Sequence, residues 1–158
     1  MSEEDKLIDV ENPHQGESWF YSDIVKDHFF QPRNFLKNRP ADNEFDGRGE
    51  VGSAACGDIL HVWIKVDKKT KKIKEFKWQT FGCSSAIAST SIISEMVTEN
   101  GGMLLEEAEK IKPQEIIDRL GGLPTRKIHC SVLGDRALRE AIKDYYQRQE
   151  NNDKIIKE

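Results

Sequence analysis

No apolar stretch in this sequence approaches the roughly 18 residues that a membrane-spanning helix requires. Its start, Met1–Phe20, is acidic and lacks the basic-then-apolar order of a secretory signal. Neither charge sign dominates: 24 Lys and Arg stand against 28 Asp and Glu, a net charge of −4. That balance asks for no nucleic-acid and no membrane partner. Cysteine is scarce, with three in 158 residues. An odd count in a chain expected to be cytoplasmic, where thiols stay reduced, argues against a disulfide framework. No two cysteines fall in Cys-x-x-Cys spacing, which disfavours a rubredoxin-like or zinc-ribbon site. There is no internal repeat, and the length fits one domain able to bury a core without disulfide staples.

What is present divides into strands followed by helices. Trp19–Phe30 carries apolar residues at helical intervals, with Ser22 or Asp23 placed to cap and Pro32 to stop it. The Gly-, Asp- and Asn-rich stretch from Asn38 to Gly57 predicts a loop with at most a short edge strand. From Asp58 to Asp67 the pattern alternates, with Leu60, Val62, Ile64 and Val66 on one face. A lysine-rich turn leads to a second strand at Ile73–Phe81, which makes a hairpin with Phe76 and Trp78 on one face. Then comes a helix from about Cys83, with Ile92, Ile93, Met96 and Val97 as its apolar stripe and Gly101-Gly102 as its stop. Two short helices follow, over Met103–Lys112 and from Pro113 to Gly121. A longer helix is expected from about Ser131 to Gln147, and after it a charged tail. This order predicts an α+β domain.

Each cysteine lies at the boundary of an expected element, and none lies inside an apolar stripe. Cys56 precedes the first hairpin strand, Cys83 stands between the second strand and the long helix, and Cys130 opens the last helix. A free cysteine is most often a small buried hydrophobe, but three at element ends is a pattern that this explanation does not produce. Cys56 and Cys83 fall at the same end of the hairpin. If Cys56 and Asp58 are extended they share a face, with Gly57 leaving room for a ligand. Cys83 and Cys130 fall at helix N-termini, where unpaired N–H groups and the macrodipole favour the thiolate. Lys127 adds positive charge near Cys130, and His129 adds an imidazole beside it. Three thiolates with Asp58 and His129 as candidate fourth ligands suit Zn²⁺ or an iron–sulfur core. Cys130 as a nucleophile with His129 as its base is the weakest alternative, because adjacent side chains seldom point at each other. His28 and His61 fall within helix and strand patterns and are expected to be structural or surface groups.

Four stretches, Tyr21–Asn34, Val51–Leu60, Phe81–Ser91 and Lys127–Tyr146, resemble in order and spacing the IscU/NifU-type iron–sulfur cluster assembly scaffolds. Every motif cysteine has its counterpart and none is left over. The resemblance implies a three-stranded antiparallel sheet packed by about five helices, with the third strand drawn from the region Gly49–Ser53. It divides the chain into an extension at 1–20, a scaffold domain at 21–147 and the charged tail at 148–158. It implies a carrier without turnover of its own. Such a carrier takes sulfur from a cysteine desulfurase, assembles a [2Fe–2S] cluster and passes it to acceptor apo-proteins. Cys56, Cys83 and Cys130 would be ligands, with His129 or Asp58 completing the set, and the same site could hold Zn²⁺ or Fe²⁺. Asp58 would govern cluster lability, Cys130 would accept the sulfur as a persulfide, and Lys127 would support it electrostatically. A related zinc-bound sulfur-acceptor group lacks the histidine before the last cysteine, so His129 argues against that alternative. Leu123-Pro124-Thr125-Arg126-Lys127 stands where the family commonly shows Leu-Pro-Pro-Val-Lys, which counts against docking of a dedicated Hsp70-type chaperone.

Overall fold

The computed structural model describes residues 22–41, 43–53, 58–80, 84–122 and 132–157. Three antiparallel strands in the order β1-β2-β3 form one sheet: β1 Gly47–Ser53, β2 Asp58–Val66 and β3 Ile73–Thr80. A helix, α1 (Asp23–Phe30), precedes the sheet. Helices α2 (Ser84–Thr98), α3 (Leu105–Ala108), α4 (Pro113–Arg119) and α5 (Val132–Lys157) follow it. The α+β architecture expected from the sequence is the one observed.

α1 starts where its cap is. The Ser22 hydroxyl accepts from Val25 N–H at 3.1 Å and donates to the Leu120 carbonyl, which ties the helix start to the end of α4. In β2, Leu60, Val62, Ile64 and Val66 are all buried, facing Phe76 and Trp78 of β3 in the same core. The opposite face is less polar than alternation suggests. Trp63 is fully buried there, with Arg48 and Lys77 as its cross-strand neighbours and His61 stacked on it at 5.7 Å. β1 is a full seven-residue strand rather than a loop with a short edge. Its glycines have low strand propensity, but they let α5 approach. A Cβ on Gly49 would overlap the Ala137 carbonyl oxygen and come within 2.7 Å of Ala141 N. Packing here overrides propensity.

α2 carries the expected stripe of Ile92, Ile93, Met96 and Val97, yet its other side is buried as well: Ser89, Thr90, Ser91 and Ser94 have no exposure. Their hydroxyls are satisfied locally, for example Thr90 donating to the Ala86 carbonyl at 2.7 Å and Ser94 to Ser91 at 2.6 Å. Small hydroxyl residues therefore let α2 lie in the middle of the domain, between α1, α5 and β3. α3 is shorter than expected, four residues, because the chain before it is drawn to the sheet: the Met103 carbonyl accepts from the N–H of Ile73, the first residue of β3, at 2.9 Å. α5 is longer. It continues through the expected tail to Lys157, and Arg148 secures the continuation by pairing with Asp144 at 2.9 Å and bonding the Phe45 carbonyl at 3.0 Å.

Candidate functional site

Cys56, Cys83, Cys130, His129 and Lys127 lie outside the described residues, as does the stretch Leu123–Lys127. Asp58 is the first residue of β2 and pairs with Ser53, the last of β1. Among the described residues, no group of three His, Cys, Asp or Glu side chains is assembled that could hold a metal ion.

What the structure does place are the ends that flank those positions. β1 and β2 are joined across 54–57, the stretch that contains Cys56, at the Ser53–Asp58 pair. β3 runs back along β2, with Thr80 opposite Leu60, so β3 ends at that same end of the sheet. Cys83 stands between this strand end and Ser84, the first residue of α2. α5 runs antiparallel to β1. Gly47 lies against Ala141 and Tyr145, whereas Gly49 lies against Ala137, one helical turn earlier. Continued in that direction, the start of α5 reaches the Ser53 end of β1. Val132 opens this helix two residues after Cys130. The first turn of α5 also packs on α2, because a Cβ on Gly134 would meet Ile93 and Thr90. The described neighbours of all three cysteines therefore share one end of the sheet.

The electrostatics of that end favour anions in α2 and restrain a carboxylate in α5. α2 has no acidic residue in its first turn, so none there offsets its N-terminal dipole. Asp135, in the first turn of α5, is buried, and burial pushes its pKa up while Arg139, at 2.9 Å, opposes the shift. Among the described residues, one of its two oxygens, Oδ1, has no hydrogen-bond partner. The sequence offered no sign of this, because an acid near a helix start is ordinarily a solvated cap.

His28 and His61 keep the structural roles expected of them. His28 is buried with Nδ1 2.7 Å from the Ser91 hydroxyl and Nε2 3.5 Å from Glu95. Burial, reinforced by Arg33, lowers its pKa. His61 is also lowered, first by desolvation, with Glu50 at 3.8 Å opposing. No described helix is long and apolar enough to cross a membrane.

Over residues 20–152 the chain matches the family model described as the NifU-like N-terminal domain. It is 47% identical over 135 residues to the iron-sulfur cluster assembly scaffold protein IscU 1 of Archaeoglobus fulgidus, covering 85% of this chain and 82% of that protein. It is 47% identical over 129 residues to the nitrogen fixation protein NifU of Trichormus azollae, covering 80% of this chain but 42% of that longer protein. A solved N-terminal, nitrogen-fixing NifU-like protein from Brucella abortus superposes with a TM-score of 0.60 at 15% identity, covering 80% of this chain and 94% of that one. At that identity the likeness speaks for the fold alone.

Proposed function

Because the chain belongs to the NifU-like N-terminal domain family, we propose that it is a scaffold on which an iron–sulfur cluster is assembled and from which it is passed on. The cluster is cargo. Its ligands in this reading are the thiolates of Cys56, Cys83 and Cys130, with His129 or Asp58 completing the set. The supporting observation is the convergence of Ser53, Asp58, Thr80, Ser84 and the start of α5 at one end of the sheet.

Sulfur arrives from a cysteine desulfurase. The Cys130 thiolate attacks the outer sulfur of the donor's persulfide, the donor S–S bond breaks, and the donor thiolate leaves. Two electrons from an external reductant then convert that sulfur to sulfide as iron is bound. Cys130 suits this step because a 26-residue helix begins two residues beyond it and Lys127 is three residues before it. Ligands from three separate elements allow release when one element moves, which suits handing the cluster to acceptor apo-proteins. An oxygen ligand at Asp58 would exchange more readily than sulfur, which makes it the control on release. A dedicated chaperone that reads Leu-Pro-Pro-Val-Lys is not expected to dock, since Thr125 and Arg126 replace its second proline and its valine.

Anaerobic addition of iron, sulfide and reductant tests the reading by absorption spectroscopy. A red-brown [2Fe–2S] chromophore should form in the wild type and be lost in Cys56→Ser, Cys83→Ser and Cys130→Ser. Asp58→Ala should form it and release it more slowly to an apo-ferredoxin. Tightly held, colourless zinc with no chromophore would instead support a zinc-bound sulfur acceptor. Unaltered loading in the serine variants would show that the ligand set is wrong.

A further inference from the structure

The two edges of the sheet are treated differently. Along β3 the edge is closed by the chain after α1. Leu36 N–H bonds the Trp78 carbonyl at 2.8 Å, Trp78 N–H bonds the Asn34 carbonyl at 3.3 Å, and Gln79 reaches the Lys37 carbonyl at 3.1 Å. Along β1, among the described residues, one position is closed. Gly47, Gly49 and Val51 pair with Ile64, Val62 and Leu60 of β2. Arg48 N–H instead turns away from β2 and is capped by Asp144 Oδ2 at 2.9 Å. In an antiparallel ladder the inward and outward positions alternate, so the N–H and C=O groups of Glu50 and Gly52 also point outward. Both residues are exposed. They open into a groove of about 540 Å³ lined by Glu50, Val51, Gly52, Arg136, Arg139 and Glu140.

We propose that this open edge of β1 is a docking site for a short, extended, acidic segment of a partner protein, added to the sheet as a fourth strand. An unpaired strand edge is a template for another strand, and natural sheets usually close such edges, as β3 does here. The occupant is extended because only a strand presents main-chain groups at the two-residue spacing of Glu50 and Gly52. It is short because Asp144 ends the free ladder at Arg48. It is acidic because Arg136 is exposed and, among the described residues, no ion pair engages it, whereas the Glu50 carboxylate already pairs with Arg48 at 2.9 Å. Glu140 directs the partner's carboxylate away from itself and towards Arg136. Nucleic acid does not fit, since a phosphodiester backbone has no N–H groups to pair with the outward carbonyls of Glu50 and Gly52. A short strand binds weakly and reversibly, which suits a transient encounter. The groove borders the cysteine end, since Gly52 is four residues from Cys56. The inference concerns main-chain groups and stands whether or not the cysteines carry a cluster.

The full chain, at low concentration, is titrated with a labelled acetyl-Thr-Val-Glu-Val-Thr-amide, its backbone-methylated form, and an oligothymidylate. Amide exchange is followed alongside. The peptide should bind and slow exchange at Glu50 and Gly52, and methylation should weaken binding about tenfold. Gly52→Pro, which removes an outward N–H, should weaken it similarly, and Arg136→Glu, on the exposed side of α5, roughly threefold. Equal binding of the methylated peptide, or wild-type affinity in Arg136→Glu, would overturn the proposal. So would oligothymidylate binding as tight as the peptide's. Glu50 and Gly52 amides already protected in the free protein, or protected only on self-association, would assign the edge to the chain itself or to a second copy.

Discussion

α5 rests on β1 where Gly47 and Gly49 remove side chains altogether, whereas α1 rests on α2 through a polar network centred on the buried His28 and Ser91. In the first contact a helix backbone lies against a strand backbone, and the room left for a methyl group is negative. In the second, His28, Ser91, Glu95, Arg33 and Asp27 are linked by bonds of 2.6–3.5 Å, and Asn34 donates to Ser94 at 2.9 Å. The glycine contact depends on volume and is indifferent to pH. The polar contact tolerates small shifts in shape but depends on which groups carry protons. Each fixes one boundary of the cysteine end: α5 orients the chain arriving from Cys130, and α2 orients the chain leaving Cys83.

Added volume at the glycine contact has the largest expected effect. Gly49→Ala should destabilise the protein by about 3 kcal/mol, because the new methyl group meets the helix backbone and not a movable side chain. Gly134→Ala is the control. Its methyl group would meet the far end of Ile93, and alanine favours the helix, so stability should stay within about 1 kcal/mol of wild type. Urea denaturation measures both. Similar losses in the two variants would mean that backbone proximity is not what distinguishes α5 on β1.

Next in size is the polar contact. His28→Ala should cost about 2 kcal/mol through the lost Ser91 bond and the void beside it. The imidazole also gives this contact a pH dependence. Burial lowers the pKa of His28 in the folded chain, so the unfolded chain binds the proton more readily. Stability is therefore full above the ordinary imidazole value of about 6.5 and falls as pH drops below it. His61 acts in the same direction. Denaturation midpoints between pH 7.5 and pH 5 should fall in the wild type and fall less in His28→Ala. A slope that is the same in both would remove His28 as a source of the acid sensitivity.

The smallest effect sharpens the contrast from outside. Arg119 and Glu99 form a two-bond pair at 2.7 and 3.0 Å between α4 and the turn that follows α2, but both are well exposed. Arg119→Ala should cost about 0.2–1 kcal/mol, less at high salt. A loss comparable with that of His28→Ala would show that exposure, and not polarity, had been misjudged in separating the two kinds of contact.

Much of this was legible beforehand. The alternation of Leu60, Val62, Ile64 and Val66 has one physical outcome, a strand with one buried face. The capping serine, Pro113 and the glycine at 121 mark helix ends by local stereochemistry alone. The three cysteines stood out because each falls at an element boundary, and boundaries follow from local pattern. What stayed hidden depended on partners far along the chain. Gly47–Ser53 has no strand propensity worth the name and is a strand because β2 and α5 hold it. The hydroxyls of α2 look like a polar face, yet they are interior because α1 and α5 close over both sides. The charged residues after Gln147 predict a tail, but Arg148, paired with Asp144 and donating to the Phe45 carbonyl, carries α5 on.

The sequence by itself determined the α+β class, the hairpin, the helix starts and the positions of Cys56, Cys83 and Cys130 at element ends, because each of these rests on interactions within a few residues. That the flank of Cys130 joins the two that the hairpin already brings to one end of the sheet depends on tertiary packing. The direction of α5 along β1 is set by backbone contact at Gly47 and Gly49, between residues roughly 90 apart in the chain, and no local pattern carries that information.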